Sequence, residues 1–138
     1  MSHRIRRRAA IAVAGLGTAA MTMVLTAPTA AAGVNSITID PGISTASSAA
    51  YGSGCSYTVT ATTDNAHPVF FGSTALAGFS QNWVTPVNGR VSTVWTPRQT
   101  GTHVLTASSG EGGALTFRNT TVVVGNGVSV GPGCVVLP

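Results

Sequence analysis

The stretch Asn88–Ala107, NGRVSTVWTPRQTGTHVLTA, constrains the fold more than any other part of the chain. Asn-Gly accepts the positive φ angles of a type I′ hairpin turn. Val91 to Thr96 then has the β-branched and aromatic content of a strand, Pro97 to Gly101 reads as a corner, and Thr102 to Ala107 reads as a second strand. Val91 and Trp95 are assigned to the inner face of the first strand, and His103, Leu105 and Ala107 to that of the second.

The rest of the chain supplies partners for these two strands. Cys55 to Thr62 alternates strictly, with Cys55, Tyr57, Val59 and Ala61 on one face and Ser56, Thr58, Thr60 and Thr62 on the other. Such period-2 alternation means one buried and one wet face. Ser36–Asp40 predicts a short strand ended by Pro41-Gly42, and Ile43–Gly54 predicts a flexible connection. Val69-Phe70-Phe71 opens a strand that Gly72–Thr74 bends, and Ala75–Thr85 reads as one or two short strands. Ser108–Gly113 reads as a loop and Leu115–Val124 as a long strand. Gly125-Asn126-Gly127 reads as a three-residue hairpin, Val128–Val130 as the returning strand, Pro132-Gly133 as a turn, and Cys134–Leu137 as the last strand. Short strands recurring every eight to twelve residues, with no helical periodicity, predict an all-β antiparallel sandwich of seven to eight strands.

The start of the sequence is of another kind. Arg4, Arg6, Arg7 and Arg8 precede the uncharged apolar run Ala9–Leu25, and Ala30-Ala31-Ala32 offers small residues at the −3 and −1 positions. This is the pattern of a secretory signal peptide, residues 1–32, with cleavage expected after Ala32. The competing reading, an uncleaved anchor, is opposed by an Ala- and Gly-rich run somewhat shorter than the roughly 20 residues of a bilayer span. One domain, residues 33–138, follows, with no membrane span expected after cleavage; its 138 − 32 = 106 residues can bury a core.

The leader also carries the charge. Of the seven basic residues behind the formal +4, four lie in it. The remainder sets Arg90, Arg98 and Arg118 against Asp40, Asp64 and Glu111, for a net charge of zero. Without a basic patch, nucleic acid is excluded as a partner. In an exported chain the two cysteines, Cys55 and Cys134, are expected to form a bridge; two free thiols or half of a metal site is the competing reading.

Val69-Phe70-Phe71, Gly89 with Val91, Pro97, Gly101-Thr102-His103-Val104-Leu105-Thr106-Ala107 and Thr121–Val124 together resemble the bacterial Ig-like domains of exported and surface proteins. The resemblance covers Ser36 to Val124. It implies a Greek-key sandwich, and a spacer, stalk or adhesive role rather than an activity. This chain departs from the pattern in having one module and a Cys-bearing tail, Gly125–Pro138, and a single module has nothing to space. By the same analogy His103, two residues past the corner glycine, is expected to pack inward and bond back to the corner.

No catalytic, cofactor-binding or metal-binding residue is assigned. Asp40, Asp64 and Glu111 stand beside Pro, Asn or Gly, where turn capping explains them. His103 lacks a nucleophile elbow nearby, and Asp64 with His67 makes only two metal ligands. Trp83, beside Gln81 and Asn82, is the surface candidate for stacking on a sugar or peptide, and Trp95 belongs to the core. The expectation is a non-enzymatic secreted or cell-surface module whose partner is a protein or glycan of the cell envelope. The alternative is a secreted carrier or enzyme inhibitor acting through loops at one end, with Phe70, Phe71, Phe79 and Trp83 lining a pocket.

Overall fold

A computed structural model of the chain describes residues 32–44, 49–111, 114–131 and 133–137, and the leader before Ala32 lies outside them. The strands are β1 (Val34–Ile39), β2 (Ile43–Ser44), β3 (Tyr51–Ser53), β4 (Tyr57–Thr63), β5 (Val69–Ser73), β6 (Ala77–Phe79), β7 (Trp83–Val84), β8 (Arg90–Pro97), β9 (Gly101–Glu111), β10 (Ala114–Val130) and β11 (Gly133–Leu137). They form two facing sheets. One has the order β1-β4-β8-β6; the other has the order β2-β11-β10-β9-β5-β7, with β3 added beside β10. From β3 to β9 every connection crosses between the sheets, so sequence neighbours face each other across the core and do not pair.

The all-β sandwich is as expected. The strand number is higher because the chain uses strands of two and three residues, too short to show a period. Two pairings, β3 with β10 and β2 with β11, are parallel, where the sequence suggested a wholly antiparallel fold. The segment expected as a flexible connection, Ile43–Gly54, holds β2 and β3, with residues 45–48 outside those described. The loop expected over Ser108–Gly113 shrinks, because β9 runs on to Glu111 and β10 begins at Ala114.

The largest correction concerns Gly125-Asn126-Gly127. These residues make no hairpin: β10 runs straight through them, and the return to β11 comes at Gly131, with Val130 opposite Gly133. The two glycines serve close approach. A Cβ on Gly127 would lie 2.6 Å from the Ser53 carbonyl oxygen and 2.8 Å from Cys55 Sγ. The turn expected at Asn88-Gly89 is present, with φ of 52° and 71°.

Alternation then builds the core. Val59 and Ala61 of β4, Val91 and Trp95 of β8, Val69 and Phe71 of β5, and Leu105 and Ala107 of β9 are all buried between the sheets. Tyr51 and Tyr57 stand edge-on to one another at 5.1 Å and close the Trp95 ring at 5.7 and 5.8 Å. Cys55 and Cys134 are joined by a disulfide with a Cα–Cα distance of 5.9 Å, tying β11 to the start of β4.

Candidate functional site

Among the described residues, the inward side of this sandwich holds one imidazole. His103 is fully buried, its Nε2–H donates to the Gln99 carbonyl at 2.8 Å, and Ser73 Oγ lies 3.4 Å from Nδ1. A carbonyl can only accept, so Nε2 carries a proton, and the serine hydroxyl is the partner of Nδ1. Gln99 belongs to the Pro97–Gly101 corner, so the bond back to the corner expected from the sequence is the one observed. The ring meets Trp95 edge-on at 5.6 Å. Trp95 Nε1 is the buried side-chain polar atom without a partner among the described residues.

The other titratable groups do not converge on it. Asp64 is exposed, and its Oδ1 accepts from the Gly33 amide. The loop around His67 is organised by Asn65, whose Oδ1 accepts from the His67 amide at 3.1 Å and from Ser109 Oγ at 3.3 Å. Asp40 is exposed beside β1, and Glu111 ends β9. Among the described residues no three of His, Cys, Asp and Glu are grouped closely enough to hold a metal ion.

The aromatic residues expected to line one pocket divide between the two faces of a sheet. Phe71 is buried and stacks on half-buried Phe79 at 6.4 Å, whereas Phe70 and Trp83 point outward. Concavities of about 240 and 220 Å³ lie elsewhere, against the disulfide, lined in part by Tyr57, Ser129 and Cys134.

On the outer face of the larger sheet, register brings together residues far apart in sequence. Trp83 pairs with Phe70, Phe70 with Ser108, and Ser108 with Phe117. Directly paired residues project from the same face, so one row across β7-β5-β9-β10 reads Trp, Phe, Ser, Phe. Trp83 is 65% exposed and Phe117 56% exposed, and Leu115 of the adjacent row is 67% exposed. Four strands at a spacing of about 4.8 Å make the row about 14 Å long.

Local structure fixes each ring. Thr93, buried on β8, donates to the Gln81 carbonyl at 2.7 Å and accepts from the Gln81 amide. Asn82 then bonds the main chain of Phe71 twice, at 3.0 Å through its side chain and at 2.7 Å through its carbonyl. Trp83 follows immediately and is delivered onto Phe70, with ring centroids 5.0 Å apart. Gly72 leaves room for the Phe70 ring, since a Cβ there would be 3.1 Å from Phe70 Cε1. Ser108, between Phe70 and Phe117, is short, and the backbones carrying the two rings stand two strand spacings, about 10 Å, apart.

Among the described side chains, no charged one projects from this face of β5, β7, β9 and β10. The neighbouring outward positions are Gly72, Thr106 and Asn119 on one side and Gly110 and Leu115 on the other. Trp83 was legible in the sequence as a surface ring. Phe117 and Leu115 were not singled out, although parity from buried Val124 places odd-numbered β10 residues outward.

No protein-family model matches the chain, and no curated protein does. Two solved structures match: the D0-D1 domain of Intimin, at 21% identity and TM-score 0.53 over 68% of this chain and 49% of that one, and the D00-D0 domain of Intimin, at 21% identity and TM-score 0.52 over 67% and 47%. The chain therefore spans about half the length of each. At this identity the likeness is one of architecture, and the fold is that of an Ig-like β-sandwich.

Proposed function

We propose that this chain is an exported, non-enzymatic Ig-like module that binds a neutral glycan at the cell surface or outside the cell, through the aromatic row of its larger sheet. The observation that carries the reading is the register-aligned set Trp83, Phe70 and Phe117, two of its rings more than half exposed. A contiguous set of apolar side chains open to water marks an interaction surface, where single exposed ones do not. A sugar ring offers C–H groups to an aromatic face and hydroxyls to the Ser108, Thr106 and Asn119 side chains beside it. The absence of charge on that face suits an uncharged polymer better than an acidic one. The leader motif supports export, and the buried imidazole of His103 is engaged in holding the corner.

The test is affinity electrophoresis and pull-down of the purified domain with a panel of neutral polysaccharides, repeated for Trp83→Ala and Phe117→Ala. Each variant is expected to keep its melting temperature and to lose about tenfold in affinity, equivalent to about 1.4 kcal/mol. Unchanged retention of both variants would refute the site. Capture of an envelope protein that depends on Trp83, with no polysaccharide bound, would replace the glycan by a protein partner.

A further inference from the structure

We infer that Asp64 is the receptor for the α-ammonium group created when the leader is removed between Ala32 and Gly33. Ala32 is exposed, Gly33 is buried and Val34 is 2% exposed, so the chain enters the sandwich at the bond where cleavage is expected. The Gly33 nitrogen donates to Asp64 Oδ1, and the Asp64 amide donates back to the Gly33 carbonyl at 3.2 Å. The next amide, of Val34, donates to Thr116 Oγ1 at 3.0 Å. A Cβ on Gly33 would lie 1.7 Å from that same Thr116 oxygen, so the first residue after the cut is held to glycine.

Hydrolysis of the Ala32–Gly33 bond consumes one water. Its hydroxyl goes to the Ala32 carbonyl carbon and a proton to the Gly33 nitrogen; at neutral pH the new acid loses a proton and the new amine gains one. The neutral N–H···O⁻ contact thereby becomes an ion pair, the stronger class of hydrogen bond. Asn65, whose Nδ2 donates to the Ala32 carbonyl at 3.2 Å in the uncut chain, exchanges that partner for water. Because Gly33 is buried in the folded domain, cutting precedes closure of the sandwich, and the ion pair then fastens β1.

The charged or titratable residues on the segments packed here are Asp64 and His67 in the loop after β4, Arg118 on β10, Glu111 at the end of β9, and Arg90, paired across from Thr62. Arg118 Nε donates to the Asn35 carbonyl at 3.2 Å, and its charge opposes the ammonium. Asp64 is the carboxylate in hydrogen-bond contact.

The sequence makes the test clean, because it contains no lysine and the α-amino group is the single aliphatic amine of the cut chain. The exported protein is expected to begin at Gly33 by mass spectrometry of its N-terminal peptide. Reductive methylation with 13C-formaldehyde then gives one N-terminal signal whose titration is followed by NMR. Its pKa is expected about one unit or more above that of the identically methylated Asp64→Asn variant, a tenfold change in protonation. Should that variant not fold, the same protein unfolded in urea supplies the reference. An N-terminus at another residue, or an amine that titrates alike with and without Asp64 or folding, would overturn the inference.

Discussion

Replacing Gly127 with Asn distinguishes two reasons for a glycine at that position. If Gly125-Asn126-Gly127 formed a hairpin, Asn would be a natural occupant, since it tolerates positive φ. In the observed fold Gly127 has an ordinary strand conformation and needs close approach instead. A Cβ there would meet the Ser53 carbonyl oxygen at 2.6 Å, the Gly52 carbonyl carbon at 2.8 Å and Cys55 Sγ at 2.8 Å. Two of these are main chain and the third is held in a disulfide, so relief requires β3 to move away from β10. β3 carries Tyr51, whose ring packs on Tyr57 and Trp95, so the displacement opens the core. Overpacking of this kind costs about 1–3 kcal/mol, and the upper end applies where backbone must move. For a domain near this size that is a fall in melting temperature of about 12–24 °C. Gly131→Asn is the control: φ is 58° and no heavy atom lies within 4 Å of the added Cβ. Thermal melts by circular dichroism should place Gly131→Asn within about 3 °C of the parent and Gly127→Asn far below it, with thiol titration confirming that the bridge has formed in both. Equal melting temperatures for the two variants would refute the close-approach reasoning.

Two further outcomes follow from the disulfide and the tyrosines. Closing the loop between Cys55 and Cys134, a separation of 79 residues, is worth up to about 4.5 kcal/mol in the chain-entropy account. The paired Cys55→Ala/Cys134→Ala variant should therefore melt at least about 10 °C lower, and a drop under about 3 °C would show that the bridge constrains little. Burial pushes the Tyr51 and Tyr57 hydroxyls above their ordinary value, and the Gly52 amide partly offsets this at Tyr57. A raised folded-state pKa means stability fully present below the unfolded value near pH 10 and lost as pH rises through the folded value. Absorbance at 295 nm should rise together with unfolding above pH 10, and tyrosinate appearing at the free-tyrosine pKa in the folded protein would contradict it.

Much of the architecture was legible because alternation is a local signal. Cys55–Thr62, Val91 with Trp95, and His103–Ala107 each announce a buried face within a few residues, and each face is where the sequence put it. Asn88-Gly89 was legible for a similar reason: the φ requirement belongs to the turn itself. Gly125 and Gly127 misled because a glycine required by a neighbour's backbone and a glycine required by a turn look the same in sequence. The neighbour, Gly52, lies 75 positions upstream of Gly127 (127 − 52). The parallel pairs of β2 and β3 were hidden for the same reason, as two- and three-residue strands carry no period. The outer row was half legible: Trp83 stands among polar residues, but its alignment with Phe117 exists only through the pairings of β7, β5, β9 and β10.

That row is also what the fold does not ask for. Many other outward positions of the sandwich carry threonine: Thr58, Thr60 and Thr62 on β4, and Thr102, Thr106 and Thr121 on β9 and β10. Threonine satisfies a wet pleated surface through its branched Cβ. Rings at Phe70, Trp83 and Phe117 add apolar surface to water without adding to the core, where Phe71, Trp95 and Leu105 already fill the space between the sheets. Their cost to solubility is set by exposure, and a folding requirement would have turned them inward. Three such departures fall on one register line, over a Ser108 that leaves the line open, and they are the residues on which the proposed binding site rests.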